Sequence, residues 1–236
     1  MDNAVYAGLT RQAGLMREMQ IIANNLANQS TSGFRREGVI FSEHVRALGP
    51  QGSLSQASAS ARQVDLSPGE LTQTGAPHDL AIRGDGFFLI EGPGGQMLTR
   101  AGHFAPDAEG MLATPLGYRL LDEAGGPIVV PQGADRVQIA RDGMLSVDGN
   151  VTARIGTWGP TDPLGLVHRS DTFFTADGYA PVESHEIMQG YLEDANVQPM
   201  LELARMIEVQ RSYELGQDLI DREDQRIRSV VDVLGR

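Results

Sequence analysis

The residues that could carry out chemistry are few in this chain, and their spacing argues against catalysis. All 19 basic residues are arginine and cysteine is absent, so there is no lysine or thiol nucleophile. His185 and Glu186 begin like a zinc-protease helix, but Gln189 stands where that motif has its second histidine. The five histidines show no metal-ligand spacing. We therefore expect no enzymatic activity, no metal, no cofactor and no small-molecule substrate.

The charge of the chain also limits its partners. The formal net charge is −12, and Arg35-Arg36 is the only pair of adjacent arginines. Nucleic acid and anionic membrane surfaces repel such a chain. No run of about 18 apolar residues occurs, and Arg11, Arg17 and Glu18 would interrupt the apolar core of a secretion signal. We expect no nucleic-acid partner, no membrane insertion and no cleaved signal peptide.

Two segments with helical patterning must position any interaction surface, and the first lies at the N-terminus. No proline occurs between Asp2 and Asn28. Polar residues after Asn28, followed by Gly33, supply helix breakers. Positions at heptad spacing are apolar, with Gln12 as the single polar member: Val5, Leu9, Met16, Met19, Ala23 and Leu26. The pattern predicts an amphipathic helix that ends near Asn28.

A second, longer helix is predicted from about Asn196 to Leu234. Pro199 fits its first turn, where a missing amide proton costs nothing. Its heptad series is mostly apolar: Met206, Val209, Tyr213, Gly216, Ile220, Glu223, Ile227, Val230 and Leu234. Further apolar residues broaden this stripe, which predicts more than one buried face: Leu201, Leu203, Ile207, Leu215 and Leu219.

The residues between the two helices have the pattern of an antiparallel β domain. Short apolar runs such as Phe87-Phe88-Leu89-Ile90 have the length of strands. Asp-Gly pairs, which supply the positive φ angles of tight hairpin turns, begin at four positions: Asp85, Asp142, Asp148 and Asp177. The segment 48–62, which precedes this domain, has the low-complexity composition of a linker.

These patterns together predict an α+β protein. Its long N- and C-terminal helices flank a mainly antiparallel β domain in the chain. The predicted divisions are an N-terminal helix at 1–30, an extended linker region at 31–65, a β-rich domain at 66–185 and a C-terminal helix at 186–236.

The apolar stripes of the two helices require partners. Each stripe could pack on the other helix, on the β domain or on neighbouring molecules. One covered seam barely offsets the conformational entropy lost when such a helix is ordered. Burial on several sides by several molecules is therefore favoured, and an ordinary intramolecular helical hairpin remains the alternative.

Four segments resemble the bacterial flagellar rod and hook protein family, and they occur in that family's order. Residues 23–36 (ANNLANQSTSGFRR) resemble its N-terminal signature. Residues 69–90 and 98–121 resemble the beginning of its β domain and the stretch that follows. Residues 190–214 (GYLEDANVQPMLELARMIEVQRSYE) resemble its C-terminal signature. Together the four segments cover roughly a third of the chain.

Within that family, the short middle of the chain and its opening, Met1-Asp2-Asn3 with Tyr6, are most similar to the proximal rod members. The distal rod members are the runner-up, and hook proteins have much larger middles. Gln29-Ser30 departs from the usual small or asparagine-containing pair, and Ala195 stands where serine is common. These departures leave the family resemblance intact.

The resemblance implies a structural role. Subunits of this family travel unfolded through the flagellar type III export apparatus without signal cleavage. They polymerise with themselves and with other rod subunits into the helical rod that crosses the periplasm and transmits motor torque. Their terminal helices pair to form the inner tube, and the β domain lies outside it. The resemblance therefore implies that 1–30 and 186–236 are assembly helices that pair as a coiled-coil-like inner domain, and that 66–185 is an outer domain. A helical filament requires heterologous contacts that do not close, and ends that order on docking would remain exportable.

The resemblance and the apolar stripes together nominate two sets of assembly residues. The N-terminal set is Leu9, Met16, Met19, Asn24, Asn25, Leu26, Asn28, Gly33 and Phe34. The C-terminal set is Asn196, Val197, Pro199, Met206, Val209, Gln210, Arg211, Tyr213, Ile220, Ile227, Val230 and Leu234. Helix capping by the asparagines, self-packing of Phe34 and core packing of Tyr213 are the alternatives within one chain.

Two other classes of protein compete with a rod subunit. A hydrolase with a helical cap would need a pocket with convergent polar groups, and the sequence offers no such cluster. A secreted adhesin or binding module would need a signal or an anchor, and neither is evident in the sequence. We therefore expect a flagellar axial subunit.

Overall fold

The computed structural model of the protein describes residues 2–47, 53–131, 133–134, 136–170, 172–183 and 185–234. The chain divides into two compact units. The first unit comprises Met1–Ala27, Glu37–Gln63 and Gln198–Arg236, and the second comprises Asn28–Arg36 and Val64–Val197. The chain therefore passes between the units four times.

The first unit contains both long helices and most of a two-stranded sheet. Helix α1 spans Asp2–Ala27 and helix α2 spans Pro199–Leu234, which confirms both predicted helices. Strand β1 (Glu37–Ala47) pairs with strand β2 (Ser53–Val64). Strand β2 covers most of segment 48–62, whose composition is that of a linker. Pairing with β1 satisfies backbone donors and acceptors whatever the side chains are.

In its described residues the second unit, which we call the β unit, contains sixteen short strands, and this confirms the mainly antiparallel β middle. They are β3 (Leu71–Gln73), β4 (Leu80–Gly84), β5 (Phe88–Gly92), β6 (Gly95–Thr99), β7 (Ala105–Pro106), β8 (Leu112–Ala113), β9 (Arg119–Leu120), β10 (Val137–Ile139), β11 (Met144–Val147), β12 (Asn150–Arg154), β13 (Trp158–Pro160), β14 (Val167–Ser170), β15 (Phe173–Thr175), β16 (Tyr179–Pro181), β17 (His185–Gln189) and β18 (Tyr191–Glu193). A 3-10 turn lies at Pro163–Gly165.

The largest sheet of these described residues has seven strands in the order β14-β15-β6-β5-β9-β8-β7. A three-stranded sheet, β10-β11-β12, and the pairs β13-β16, β17-β4 and β18-β3 complete the unit. The pairs β17-β4 and β18-β3 are antiparallel and join the end of the unit to its beginning. His185–Gln189 is therefore a strand, and the zinc-protease likeness has no helix to support it.

The four Asp-Gly pairs have different roles. Asp148-Gly149 joins β11 to β12, and both residues have positive φ, as a tight hairpin turn requires. Gly143, between β10 and β11, also has positive φ. Asp85-Gly86, in contrast, joins β4 to β5, and these strands pair with other partners. Asp177-Gly178 likewise lies between β15 and β16, which pair with other strands. The hairpin interpretation is thus right for the pairs at Asp142 and Asp148 and wrong for those at Asp85 and Asp177.

Adjacent phenylalanines on β5 and just before it pack into two separate apolar clusters. Phe88 is fully buried in the larger cluster and meets the Phe104 ring edge-on at 5.5 Å. Phe87 is buried in the smaller cluster beside Phe174, at 5.7 Å. Successive side chains of an extended chain point to opposite faces, so the seven-stranded sheet is buried on both sides here.

Candidate assembly surfaces and buried junctions

Helices α1 and α2 contact each other in antiparallel order within the first unit. Leu15, Ile22 and Val209 form its buried apolar cluster, with Met19 and Met206 packed against them. Nearer the other end, the Gln12 side chain donates a hydrogen bond of 3.1 Å to Gln217 Oε1. Gly8 lies against Ile220. Arg205 and Glu18 form an ion pair of 2.8 Å across the two helices.

The face of α1 that meets α2 is rotated by about one residue from the predicted stripe. Buried positions follow Gln12, Leu15 and Ile22. Two members of the predicted heptad series, Leu9 and Met16, are instead 52% and 41% exposed. Leu9 and Met16 are apolar at the same seven-residue spacing as the buried Leu15 and Ile22, so the sequence alone does not say which pair the partner helix covers.

The predicted series on α2 does face α1. Val209 is buried, and Met206, Tyr213 and Ile220 are half-buried. The apolar residues outside that series are exposed in the single chain, so the predicted second buried face is not formed there: Met200, Leu201, Leu203, Ile207, Leu215 and Leu219. Leu215 and Leu219 are 71% and 69% exposed and lie one turn apart.

A groove of about 560 Å³ runs along the same helix pair. It is lined by Leu15, Glu18, Leu201, Ala204, Arg205, Glu208, Val209 and Ser212. The lining includes the buried Leu15 and Val209 and the ion pair of Arg205 with Glu18. The groove therefore joins the covered seam to the exposed Leu201.

A buried polar junction ties the end of α1 to β1 and α2. Asn25, which is fully buried, donates from Nδ2 to the Glu37 carbonyl at 2.9 Å and to Glu202 Oε2 at 3.2 Å. Its Oδ1 accepts the Glu37 amide proton at 3.0 Å. Arg62 lies 3.5 Å from the Glu37 carboxylate. The Asn25 amide is thus occupied within its own unit, where it holds three elements together.

A second buried junction lies in the β unit, where one carboxylate meets two arginines. Glu193 Oε1 is 2.8 Å from Arg35 Nη2, and Glu193 Oε2 accepts from Arg100 Nη1 at 2.9 Å. The exposed fractions of these side chains are only 1% to 3%. The Gly69 amide also donates to Glu193 Oε1, at 2.8 Å. We name Arg35, Glu193 and Arg100 the arginine junction.

Further Nη groups of the two arginines donate to backbone oxygens, whereas the Nε groups of Arg35 and Arg100 are buried without a hydrogen-bond partner. Arg100 donates to the carbonyls of Ile82 and Gly84, at 3.1 and 2.7 Å, and Arg35 donates to the Ser67 carbonyl. Burial lowers the pKa of Arg35 to about 10, against the opposing pull of Glu193. Burial likewise lowers the pKa of Arg100. Two buried cations thus share one carboxylate, so the charge of Glu193 offsets the cost of burying both arginines.

Asn196 fastens the same region from a different side. Its Oδ1 accepts the Arg36 amide proton at 2.7 Å. Its Nδ2 donates to the carbonyls of Asp65 and Ser67, at 3.1 and 2.8 Å. Three of the four chain passages between the units begin or end beside these atoms: the ones after Arg36, before Val64 and after Val197.

Gly33 and Phe34 pack within the β unit. Gly33 has φ +75°, and a Cβ there would lie 2.2 Å from the Ala101 amide nitrogen, so only glycine fits. Its amide donates to the Glu193 carbonyl at 2.7 Å. Phe34 is fully buried, with its ring edge-on to His168 at 5.6 Å.

The other nominated residues are placed as follows. Asn24, Leu26, Asn28 and Asn196 are half-buried, Met19 and Tyr213 border the helix seam, and Val197 is buried. Pro199, Gln210 and Arg211 are exposed, and Gln210 donates to Glu214 Oε1 one turn later. The side chains of Ile227, Val230 and Leu234 lie outside the described residues.

Sequence reasoning missed the charged residues of both junctions, namely Arg35, Glu37, Arg100, Glu193 and Glu202. A signal was present, because all five lie inside or next to segments that resemble the family signatures. Charged side chains beside apolar ones in such segments are candidates for buried ion pairs. Their partners are far away in sequence, so pairing them required the folded chain.

Two classes of site find no support in the described part of the chain. No group of three or more histidine, aspartate or glutamate side chains there is arranged to hold a metal ion. None of the described helices is long and apolar enough to cross a membrane.

Comparison with known proteins identifies the family. Residues 81–147 match the model of the flagellar hook protein FlgE/F/G D1 domain, and residues 188–233 match that of the flagellar basal body rod FlgEFG protein C-terminal region. The flagellar basal-body rod protein FlgF of Caulobacter vibrioides is 36% identical over all of this chain and 99% of its own length. FlgF of Rhizobium meliloti is 30% identical, with the same coverage. FlgG of Bacillus subtilis is 28% identical over 99% of both chains.

The chain therefore belongs to the flagellar hook and basal-body rod protein family, as the four motifs indicated. Within that family it is a flagellar basal-body rod protein most similar to FlgF. Its place is accordingly the flagellar basal body. The relatives that identify it are structural rod proteins and not enzymes.

Proposed function

We propose that this chain is a structural subunit of the proximal part of the flagellar rod. It polymerises helically, with copies of itself and with other rod subunits, through α1 and α2. The resulting rod crosses the periplasm and transmits torque. The subunit reaches the rod through the flagellar type III export apparatus without signal cleavage. Residues 1–30 and 186–236 act as assembly segments, 31–65 as the connection and 66–185 as the outer domain.

The observation that carries this proposal is the apolar surface that each helix leaves uncovered. Leu9 and Met16 project from α1, and Leu215 and Leu219 project from α2. Burying one such side chain stabilises an interface by about 1.5–3 kcal/mol. Contiguous exposed apolar surface of this kind marks protein–protein contact sites. A second molecule offers the matching helices, because each copy carries the same two stripes.

The antiparallel contacts between α1 and α2 support a coiled-coil-like pair as the core of each subunit. In this arrangement Met206, Val209 and Tyr213 face the helix of the same chain. The exposed Gln210, Arg211 and Pro199 face other subunits. Asn25 and Phe34 are buried in their own chain, so their part in assembly is to position the surfaces beside them.

The test replaces exposed leucines by glutamate in the full chain. Leu215→Glu with Leu219→Glu places two charges on the uncovered stripe of α2. Leu116→Glu is the matched control, because Leu116 is 59% exposed but lies in the β unit. Sedimentation velocity at increasing concentration should show self-association for the parent and the control, and monomer for the double variant.

A motility assay completes this test. The double variant should fail to restore swimming to a strain that lacks its own copy of the gene, whereas Leu116→Glu should restore it. Swimming with the double variant, together with unchanged association, would refute assembly through this stripe.

A position in the distal rod is the second candidate. FlgG of Bacillus subtilis aligns with nearly the whole chain, at 28% identity. Complementation separates the two positions: the chain should restore a strain that lacks its FlgF-type rod protein and leave one that lacks its FlgG-type protein non-motile. The opposite result would move the proposal to the distal rod.

A further inference from the structure

The arginine junction joins segments that are synthesised at very different times. Arg35 belongs to the segment Asn28–Arg36, which is made early, and Glu193 follows near the end of the β unit. The segment makes its long-range backbone hydrogen bonds to residues of two regions. The Gly33 amide bonds the Glu193 carbonyl and the Arg36 amide bonds Asn196, while the Arg36 carbonyl accepts from the Asp65 amide.

Electrostatics make the early segment dependent on the late one. Arg35 and Arg100 are both buried, and the Arg100 charge lowers the pKa of Arg35 further, as burial itself does. Without the Glu193 carboxylate, docking of Arg35 would place a second unpaired cation next to Arg100 in a site with almost no water. An uncompensated buried charge is strongly unfavourable, so an undocked segment, with Arg35 in water, is preferred.

We propose that Glu193 is a conformational lock: the segment Asn28–Arg36 docks on the β unit only when the Glu193 carboxylate is between Arg35 and Arg100. The first segment of the unit to be made is then the last to be ordered. The early segment and the end of the β unit become ordered in one step. In a chain that still lacks Glu193, the segment Asn28–Arg36 stays undocked. Glu193 here positions a segment and has no role in chemistry.

Packing of Phe34 is the competing explanation for the docking of this segment. Its ring is buried beside His168, a contact that does not need Glu193. If apolar packing dominated, the segment would stay docked after the carboxylate is neutralised. The two outcomes differ at the amides of Gly33 and Arg36, whose acceptors lie on residues 193 and 196.

Hydrogen–deuterium exchange on the full chain tests the proposal. In Glu193→Gln, which keeps the side-chain shape and removes the charge, the amides of Gly33 and Arg36 should exchange about 100-fold faster or more. The amides of β5 and β6, such as Leu89 and Leu98, should exchange at the parent rate. The matched control is Glu186→Gln, because Glu186 forms an exposed pair with Arg83; it should change none of these rates.

Two results would overturn the lock. One is unchanged protection of Gly33 and Arg36 in Glu193→Gln, which would make Phe34 packing sufficient. The other is equal acceleration of the β5 and β6 amides, which would make Glu193 an ordinary contributor to global stability. If Glu193→Gln does not fold, Glu193→Asp replaces it. That variant keeps the charge but places the carboxylate one methylene farther from the two arginines. The amides of Gly33 and Arg36 should therefore still exchange faster than in the parent, by less than in Glu193→Gln. The same two results would count against the lock.

Discussion

Asn196 accepts a hydrogen bond of 2.7 Å from the backbone amide of Arg36, a residue 160 positions earlier in the chain. The same side chain donates to the carbonyls of Asp65 and Ser67. One amide group therefore fastens three chain passages of the β unit to one another. The loss of this group would remove three hydrogen bonds at once, which is more costly than the loss of one average hydrogen bond.

Asn196→Ala should lower the free energy of unfolding of the β unit by about 1–3 kcal/mol. Urea titration followed by the fluorescence of Trp158, the only tryptophan of the chain, measures this change. Asn150→Ala, at an exposed position in a hairpin, is the control and should stay within about 0.5 kcal/mol of the parent. Equal effects of the two substitutions would contradict the fastening role.

Gly33→Ala should destabilise the β unit far more than Gly75→Ala. Both glycines have nearly the same positive φ, +75° and +74°, so both substitutions carry the same backbone penalty of about 1–2 kcal/mol. A Cβ at Gly33 would also meet the Ala101 amide at 2.2 Å, whereas nothing lies within 4 Å at Gly75. The clash should add about 1–3 kcal/mol in urea titrations. Indistinguishable stabilities would mean that the segment 28–36 does not pack as described.

Ile22→Ala and Leu9→Ala should separate stability from association. Ile22 is 2% exposed between the helices, so its truncation should cost about 2–5 kcal/mol in a melt of helical circular dichroism. Leu9 is 52% exposed, and its truncation should leave the melt of the dilute protein within about 0.5 kcal/mol of the parent. In sedimentation, however, Leu9→Ala should weaken self-association. The reverse pattern would show that the predicted stripe, and not the observed one, faces α2.

Acid should weaken the β unit partly through Asp65. Partial burial opposes the shift, but hydrogen bonds from the Ser67 hydroxyl and amide hold the pKa of Asp65 below its ordinary value of 3.8. A depressed carboxyl pKa stabilises the folded state fully above the unfolded value, and this is lost as the pH falls through the folded value. The stability of Asp65→Asn should therefore fall less than that of the parent between about pH 6 and pH 3. The loss of stability of Ser67→Ala over this pH range should lie between those of the parent and Asp65→Asn. Equal losses in the parent and Asp65→Asn would show that Asp65 does not contribute to the acid sensitivity.

Much of the fold followed from the sequence because its periodicities are local. Heptad spacing located both helices, and the Asp-Gly pair at Asp148 located a true hairpin. The face of α1 that is covered was not predictable. Leu9 with Met16 and Leu15 with Ile22 are apolar pairs at the same spacing, and the choice between them depends on what α2 presents.

The polar junctions were beyond sequence reasoning for a different reason. The family-like segments mark Arg35 and Glu193 one by one, but nothing local pairs them, since the energy of their ion pair depends on burial that only the completed fold provides. Asn25 was nominated for contact with other subunits from its place in a motif. Its hydrogen bonds to Glu37 and Glu202 are instead buried within the same chain, where they use the donor and acceptor atoms of its side chain.

The Gln12–Gln217 hydrogen bond has a mechanical consequence. Along a purely apolar seam, two antiparallel helices could slide past each other by one turn, about 5.4 Å, at little cost. Here such a slip would move the Gln12 amide from Gln217 to a position opposite Tyr213 or Ile220, and against Ile220 it would find no acceptor. Together with the Arg205–Glu18 ion pair and the Asn25–Glu202 hydrogen bond, this polar pair thus resists sliding of the two helices when they are loaded along their length.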